Sequence, residues 1–105
     1  CGNDFSFDKI FSRNFEALAK KGDLLICIST SGNSKNILNV LKSAKKKKIK
    51  SLCFLGKKGG KAKQISDMSL IVPHDNTARI QEAHIFLGHF ILESVEDLLI
   101  NEKLV

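Results

Sequence analysis

The chain has 105 residues, which fits one domain that is large enough for a real core. Apolar residues make up 43% of it and charged residues 27%, an ordinary balance for a soluble globular protein. No apolar stretch reaches the roughly 18 residues that a membrane-spanning helix needs, so we expect no membrane segment.

The formal net charge is +6, and lysines supply much of it. Such a surplus can indicate nucleic-acid binding. However, the run Lys45–Lys48 falls at the predicted end of a helix, where cations interact favourably with the helix dipole. The chain also has no Tyr or Trp to stack on bases. We therefore favour a solvated helix end, and a nucleic-acid binder stays the lesser alternative.

The cysteines are Cys1, Cys27 and Cys53, and the last two lie within apolar runs. Their spacing matches no zinc-binding pattern. We expect reduced core thiols in a cytoplasmic protein.

The first predicted helix covers residues 5–20, "FSFDKIFSRNFEALAK", and ends at Lys20-Lys21-Gly22. Its apolar stripe consists of Phe7, Ile10, Phe11, Phe15 and Leu18. The next run, Leu24 to Ile28, is apolar at nearly every position, which predicts a parallel strand covered on both faces.

A second helix follows the loop "STSGNS", with Ser34 as the candidate N-cap. Residues 51–56 predict a second strand, residues 57–66 a Gly-rich turn with a short helix, and residues 68–73 a third strand closed by Pro73. A long helix runs from Thr77 to about Ile100, and its apolar positions are too many for one buried stripe. The alternation predicts an α/β fold with a parallel sheet, and we expect the last helix to meet a partner chain.

The loop at residues 29–34 carries four hydroxyls where a strand passes into a helix. In parallel α/β sheets, ligands bind beyond the carboxyl ends of the strands, and a helix N-terminus attracts anions. One hydroxyl is enough for a helix cap, so the excess favours an anion site. The loop lacks the lysine of a P-loop and the glycines of a dinucleotide site, which favours the phosphate of a small metabolite.

Three stretches carry a resemblance: "GNDF", "GDLLICISTSGNSKNIL" and "VPHDNTARIQEAHIFLGHFILESVEDLL". They resemble the SIS (sugar isomerase) domain, and within it the carboxyl-terminal portion of the bacterial phosphoheptose isomerase family. The resemblance implies a three-layer α/β/α, flavodoxin/Rossmann-like fold whose N-terminal part is missing. Residues 1–105 would then be a single partial SIS domain.

The implied function is an aldose–ketose isomerase, which interconverts sedoheptulose 7-phosphate and D-glycero-D-manno-heptose 7-phosphate through an enediol. Its product would feed lipopolysaccharide or capsule synthesis, and the enzyme would be a cytoplasmic homotetramer. The residues that would hold the substrate phosphate are Ser29, Thr30, Ser31 and Ser34. Asn3 and Asp4 match a substrate-contacting pair of the family, although a helix cap explains them equally well.

The resemblance also implies that Gln81 contacts both substrate and a zinc ion, and that His89 is a zinc ligand and the catalytic proton-transfer group. The two residues lie about 12 Å apart along a helix and only about 80° apart around it, so both can face one pocket. On spacing alone, His84 is the nearer neighbour of Gln81 and remains a reserve candidate. His74 could line the same pocket.

The family's N-terminal half supplies a catalytic glutamate and a further zinc histidine, which these 105 residues lack. Glu82 is no substitute, because it lies beside Gln81 in the helix motif. This chain alone could therefore be inactive. The alternative to an isomerase is a noncatalytic SIS module that binds a phosphosugar or a protein.

Overall fold

The computed structural model describes residues 10–102. Helices and strands alternate along them, as the sequence predicts. The elements are α1 (Ile10–Leu18), β1 (Leu24–Ser29), α2 (Lys35–Lys46), β2 (Lys50–Gly56), α3 (Ala62–Ile65), β3 (Met68–Val72) and α4 (Thr77–Asn101). Bounds differ from the predicted ones by a few residues, and residues 5–9 of the predicted first helix lie outside the described part.

The three strands form one parallel sheet in the order β1-β2-β3. Helices α1, α2 and α3 lie on one side of it, and α4 packs on the other side against β2 and β3. The predicted α/β class with a parallel sheet and helices on both faces is therefore confirmed.

The larger core lies between the sheet and α2. It forms because apolar residues recur at helical spacing in α2, while β2 is apolar at consecutive positions and directs alternate side chains, Cys53 and Leu55, toward α2. Leu41 and Leu55 are almost fully buried at its centre. The buried members are Cys27, Val40, Leu41, Cys53, Leu55 and Ala62.

Two thiols sit side by side in this core. Cys27 in β1 is the direct partner of Cys53 in β2, and both are free and buried. A hydrogen bond with the Cys53 thiol, and after it burial, raises the pKa of Cys27 well above its usual range. The expected core position is confirmed for this pair, their reduced state stays a prediction, and Cys1 lies outside the described residues.

The prediction that β1 is covered on both faces is wrong. Leu24, Ile26 and Ile28 point to the α4 side of the sheet and are 51%, 48% and 58% exposed. The reason is position: β1 is an edge strand of the described sheet, and α4 lies mainly over β2 and β3. An apolar run identifies a strand, but it does not tell where the strand lies in the sheet.

Helix α1 is held against α2 partly by the basic run. Lys47 donates a hydrogen bond to the backbone oxygen of Glu16 at 2.6 Å, and its ammonium lies 5.9 Å from the ring centre of Phe15. Ser43 donates to the Glu16 carboxylate at 3.0 Å. Phe15 packs against the core, whereas Leu18 is 77% exposed, so the predicted stripe of this helix is only partly buried.

Helix α4 has an apolar surface that the described residues do not cover. Its exposed apolar side chains are Ile85, Phe86, Phe90, Leu92, Val95, Leu98 and Ile100. This confirms that the helix carries more apolar surface than its own sheet covers, and contact with a partner chain stays a prediction. Within residues 10–102, no helix has the length and apolar character needed to cross a membrane.

Candidate functional site

The hydroxyl-rich loop lies at the carboxyl edge of the sheet, between the end of β1 and the start of α2. Two of its hydroxyls shape the turn. Ser29 Oγ accepts a hydrogen bond from the Gly32 amide at 3.0 Å, and Ser31 Oγ accepts one from the Asn33 amide at 3.1 Å. Each of these serines keeps its O–H for donation, so the turn is built in a way that leaves donors for an anion.

The loop after β2 braces this turn from the side. A Cβ added at Gly32, whose φ is +70°, would lie 2.1 Å from the Gly59 oxygen, so the two backbones pass in direct contact. The Ala62 amide donates to the Gly32 oxygen, and the Lys61 amide donates to Asn33 Oδ1, both at 2.9 Å. The candidate anion site therefore has a fixed backbone shape.

The N-terminus of α2 opens onto the same loop. Ser34 occupies the predicted N-cap position, but its side chain makes no capping hydrogen bond, and the first turn contains no acidic residue. By contrast, Asn76 caps α4 by accepting hydrogen bonds from the Ala78 and Arg79 amides. The hydroxyl of Ser34 is thus not used as a cap, and the positive end of the α2 dipole faces the loop.

A polar cavity of about 350 Å³ adjoins the loop, and several of the residues that line it were not predicted from the sequence. Ser31 and Asn33 line it from the loop, Lys57 and Lys58 from the end of β2, and Asp75 from the segment before α4. The sequence patterns did not predict a role for Lys57 and Lys58 in this site. The signal was available, because they directly follow a predicted parallel strand and so had to lie at the same sheet edge as the loop.

Helix α4 sits on β2 along a row of residues one turn apart. Ile80 is fully buried against Gly56, and a Cβ added there would lie 2.6 Å from the Ile80 side chain and 2.7 Å from the Thr30 oxygen. One turn later, His84 is 3% exposed, and its Nε2 lies 2.7 Å from the backbone oxygen of Leu55. Close packing at Gly56 thus joins α4, β2 and the loop.

The neighbouring row of α4 faces a second cavity, of about 360 Å³, beside the end of β1. Gln81 and His89 both line it, as their spacing predicts, and His84 forms part of its wall. The remaining wall is apolar. It consists of Ile28, Phe54, Ile85, Gly88 and Leu92.

Other candidate residues lie elsewhere. Glu82 pairs with Arg79 at 3.0 Å on the exposed side of α4, which agrees with its exclusion as a base. His74 is exposed, and its Nδ1 accepts a hydrogen bond from the Asn76 amide. Asn3 and Asp4 fall outside the described residues.

A metal ion finds few ligands here. Among residues 10–102, no group of three or more His, Cys, Asp or Glu side chains is placed to hold one. Gln81 and His89 offer at most an amide oxygen and one imidazole nitrogen. The described residues therefore do not complete a zinc site by themselves.

Comparison with known proteins gives a consistent result. The SIS domain family matches residues 4–100. A phosphoheptose isomerase from Campylobacter concisus is 54% identical over 96 residues, which cover 91% of this chain and 51% of that protein. One from Clostridium acetobutylicum is 52% identical over 102 residues, which cover 97% of this chain and 52% of that protein.

Solved structures agree with the sequence relatives. The phosphoheptose isomerase of Neisseria gonorrhoeae superposes with a TM-score of 0.87 at 42% identity, covering 90% of this chain and 54% of that one. The enzyme from Francisella tularensis gives 0.84 at 36% identity, covering 88% and 50%. The chain thus spans about half the length of the relatives that it matches.

Proposed function

This chain belongs to the SIS domain family, and from that membership we propose that it forms part of a phosphoheptose isomerase. The enzyme would interconvert sedoheptulose 7-phosphate and D-glycero-D-manno-heptose 7-phosphate through an enediol. The observation that carries the proposal is the braced hydroxyl loop at residues 29–34, which lies at the same end of β1 as the cavity lined by Gln81 and His89.

The loop would bind the substrate phosphate. The hydroxyls of Ser29, Thr30, Ser31 and Ser34 supply short donors, and the start of α2 supplies a positive dipole end. Lys57 and Lys58 outnumber the Asp75 carboxylate in the adjoining cavity, and this net positive charge attracts a dianionic phosphate. Because the backbone of the loop is already fixed, little ordering is needed when the anion binds.

The sugar carbons would lie in the cavity beside α4. An aldose–ketose exchange moves one proton between adjacent carbons and another between their oxygens. His89 is proposed to exchange one of these protons, since imidazole both accepts and donates near neutral pH. The amide of Gln81 is proposed to hydrogen bond to sugar oxygens and so to orient the reacting carbons.

Zinc is included in the proposal only because the resemblance to phosphoheptose isomerases implies it. A bound zinc ion would polarise the sugar carbonyl and stabilise the enediol charge. Gln81 and His89 are the residues of this chain that would face it, and its other ligands would have to come from outside the described residues. As part of the same proposal, the enzyme acts in the cytoplasm as a homotetramer, which the exposed apolar side of α4 supports.

A second candidate function is a noncatalytic phosphosugar-binding module. It is favoured by one observation: among the described residues, the cavity that holds Gln81 and His89 is lined by no carboxylate that could act as the base. On this reading the loop binds the phosphate, and no proton is moved.

Binding can be tested on the 105-residue chain itself. Titration with sedoheptulose 7-phosphate should shift the backbone amide signals of residues 29–35, and inorganic phosphate should shift the same set more weakly. Sedoheptulose without phosphate should leave these signals unchanged. Shifts confined to another part of the chain would refute the phosphate site.

Activity is tested on the complete gene product that carries this chain. Ser31→Ala should raise KM for sedoheptulose 7-phosphate several-fold, whereas His89→Ala should lower kcat by about 10²- to 10⁴-fold. Ser94→Ala is the matched control, because Ser94 bonds only its own helix at the Phe90 oxygen. Phosphosugar binding without turnover by the complete protein would favour the noncatalytic module.

A further inference from the structure

We propose that His84 is a positioning residue, which fixes the rotation of α4 on the sheet so that Gln81 and His89 face the cavity. The inference rests on the proposed function, because these two side chains are the ones assigned there to handle the sugar. It concerns a residue of the cavity wall to which that proposal assigns neither proton transfer nor a hydrogen bond to the sugar.

His84 makes a directional bond between α4 and β2. Its Nε2 lies 2.7 Å from the backbone oxygen of Leu55, inside the sheet-facing side of the helix. A carbonyl oxygen only accepts hydrogen bonds, so Nε2 carries the proton. The imidazole also packs against Phe54, with ring centres 5.9 Å apart and planes tilted by 52°.

The contacts on either side of His84 lack this directionality. One turn before it, Ile80 packs on Gly56, and one turn after it, Gly88 passes Phe54 with room for ordinary contact. The hydrophobic effect has no preferred direction, whereas a hydrogen bond weakens steeply when its angle departs from linear. The hydrogen bond is therefore the contact that sets the angle of α4 around its own axis.

The environment of the second ring nitrogen indicates that His84 does more than stabilise the fold. Nδ1 of His84 is buried and has no hydrogen-bond partner among the described residues. A buried acceptor without a partner loses its hydration, so an apolar side chain would fill the same space more favourably. A histidine at this position is explained if the hydrogen bond from Nε2 holds α4 in the orientation that the function needs.

A small rotation would have a large effect. Gln81 comes three residues before His84 and His89 five residues after it, both on the row that lines the cavity. Side chains extend about 5–6 Å from a helix axis, so a rotation of about 10° moves their tips by about 1 Å. A misplacement of about 1 Å can lower a rate by about 10²-fold.

The test uses His84→Phe, which keeps an aromatic ring but removes the donor, and His84→Gln, which keeps an N–H donor. In the complete protein, His84→Phe should lower kcat about 10- to 100-fold, and His84→Gln should recover most of it. The Kd for inorganic phosphate should stay within about twofold, because the phosphate loop is braced by other contacts. Val40→Ala is the control, since Val40 is equally buried but lies on α2, across the sheet.

Equal losses of kcat in His84→Phe and Val40→Ala would overturn the inference, because general destabilisation would then explain both. A second measurement separates it from the proposed function. In the 105-residue chain, His84→Phe should shift the amide signals of Gln81 and His89 more than those of Leu98 and Leu99. If the wild-type protein shows no isomerase activity, the proposed function fails, and these amide signals alone then test whether His84 positions α4. Unchanged signals at residues 81 and 89 would refute positioning.

Discussion

Replacing Gly32 with alanine should distort the hydroxyl loop at residues 29–34. The residue has φ of +70°, and its added Cβ would lie 2.1 Å from the Gly59 oxygen and 2.7 Å from the Gly59 carbon. Ordinary contact begins near 3.4 Å, so the two backbones must separate. The bond from the Ala62 amide to the Gly32 oxygen stretches as they do.

Two costs add up in this variant. An alanine in the left-handed region costs about 1 kcal/mol relative to glycine. Overpacking against backbone, which cannot swing away like a flexible side chain, costs a further 1–3 kcal/mol or so. The free energy of unfolding should therefore fall by about 2–4 kcal/mol, a large share of the total for a domain of this size.

Gly22→Ala supplies the matched control. Gly22 has φ of +96°, and nothing lies within 4 Å of its added Cβ, so only the conformational cost applies. In urea titrations, the free energy of unfolding of Gly32→Ala should be lower than that of Gly22→Ala by about 1–3 kcal/mol. The Kd for inorganic phosphate should also rise in Gly32→Ala and stay constant in Gly22→Ala. Equal stability losses in the two variants would refute the close approach of the loops.

Three further outcomes are expected. Asn76→Ala removes the cap of α4 and should lower the free energy of unfolding by about 1 kcal/mol in urea titrations, whereas a change within error would refute the cap. Gly56→Ala should lower the free energy of unfolding by about 1–3 kcal/mol, because the added methyl group contacts the Ile80 side chain. Adding Ile80→Val to this variant should recover part of the loss. The hydrogen bond between the two thiols raises the pKa of Cys27 and lowers the pKa of Cys53 to about 7, so stability should rise between about pH 7 and 9.0 and fall above 9.0, the ordinary value of both thiols. Because Cys27→Ala removes both shifts, its stability measured from about pH 7 to 10.5 should depend less on pH than that of the wild type, and parallel curves would contradict this.

The fold was largely predictable because its elements depend on local patterns. Helical spacing in α2 and the apolar run before the hydroxyl loop each identify an element without reference to the rest of the molecule. What the sequence could not show is which strand lies at an edge. The exposure of Ile26 and Ile28 depends on where α4 crosses the sheet, and that is settled by contacts distant in sequence such as Ile80 with Gly56.

The residues of the candidate site were predictable from the sequence to a similar extent. Spacing on one helix was enough to expect Gln81 and His89 on one cavity. The Asn76 cap could have been predicted too, since an asparagine just before a periodic run is a standard N-cap signal. The bond between His84 and the Leu55 oxygen could not, because it joins a side chain to a backbone atom 29 positions away and leaves no periodic trace.

The two parts of the site differ in how they are supported. The hydroxyl loop at residues 29–34 is braced from outside mainly by residues 59–62, through the contact at Gly32 and the amides that reach Gly32 and Asn33. Its shape is therefore a property of this chain. The cavity lined by Gln81 and His89 is walled on one side by β1, where Ile28 is 58% exposed, so water reaches the place where the proposed proton transfer would occur. Charges that develop in contact with water are screened, and preorganised groups then lose much of their effect. An anion site can work in such surroundings, whereas the proposed isomerisation would depend on whatever covers the exposed face of β1.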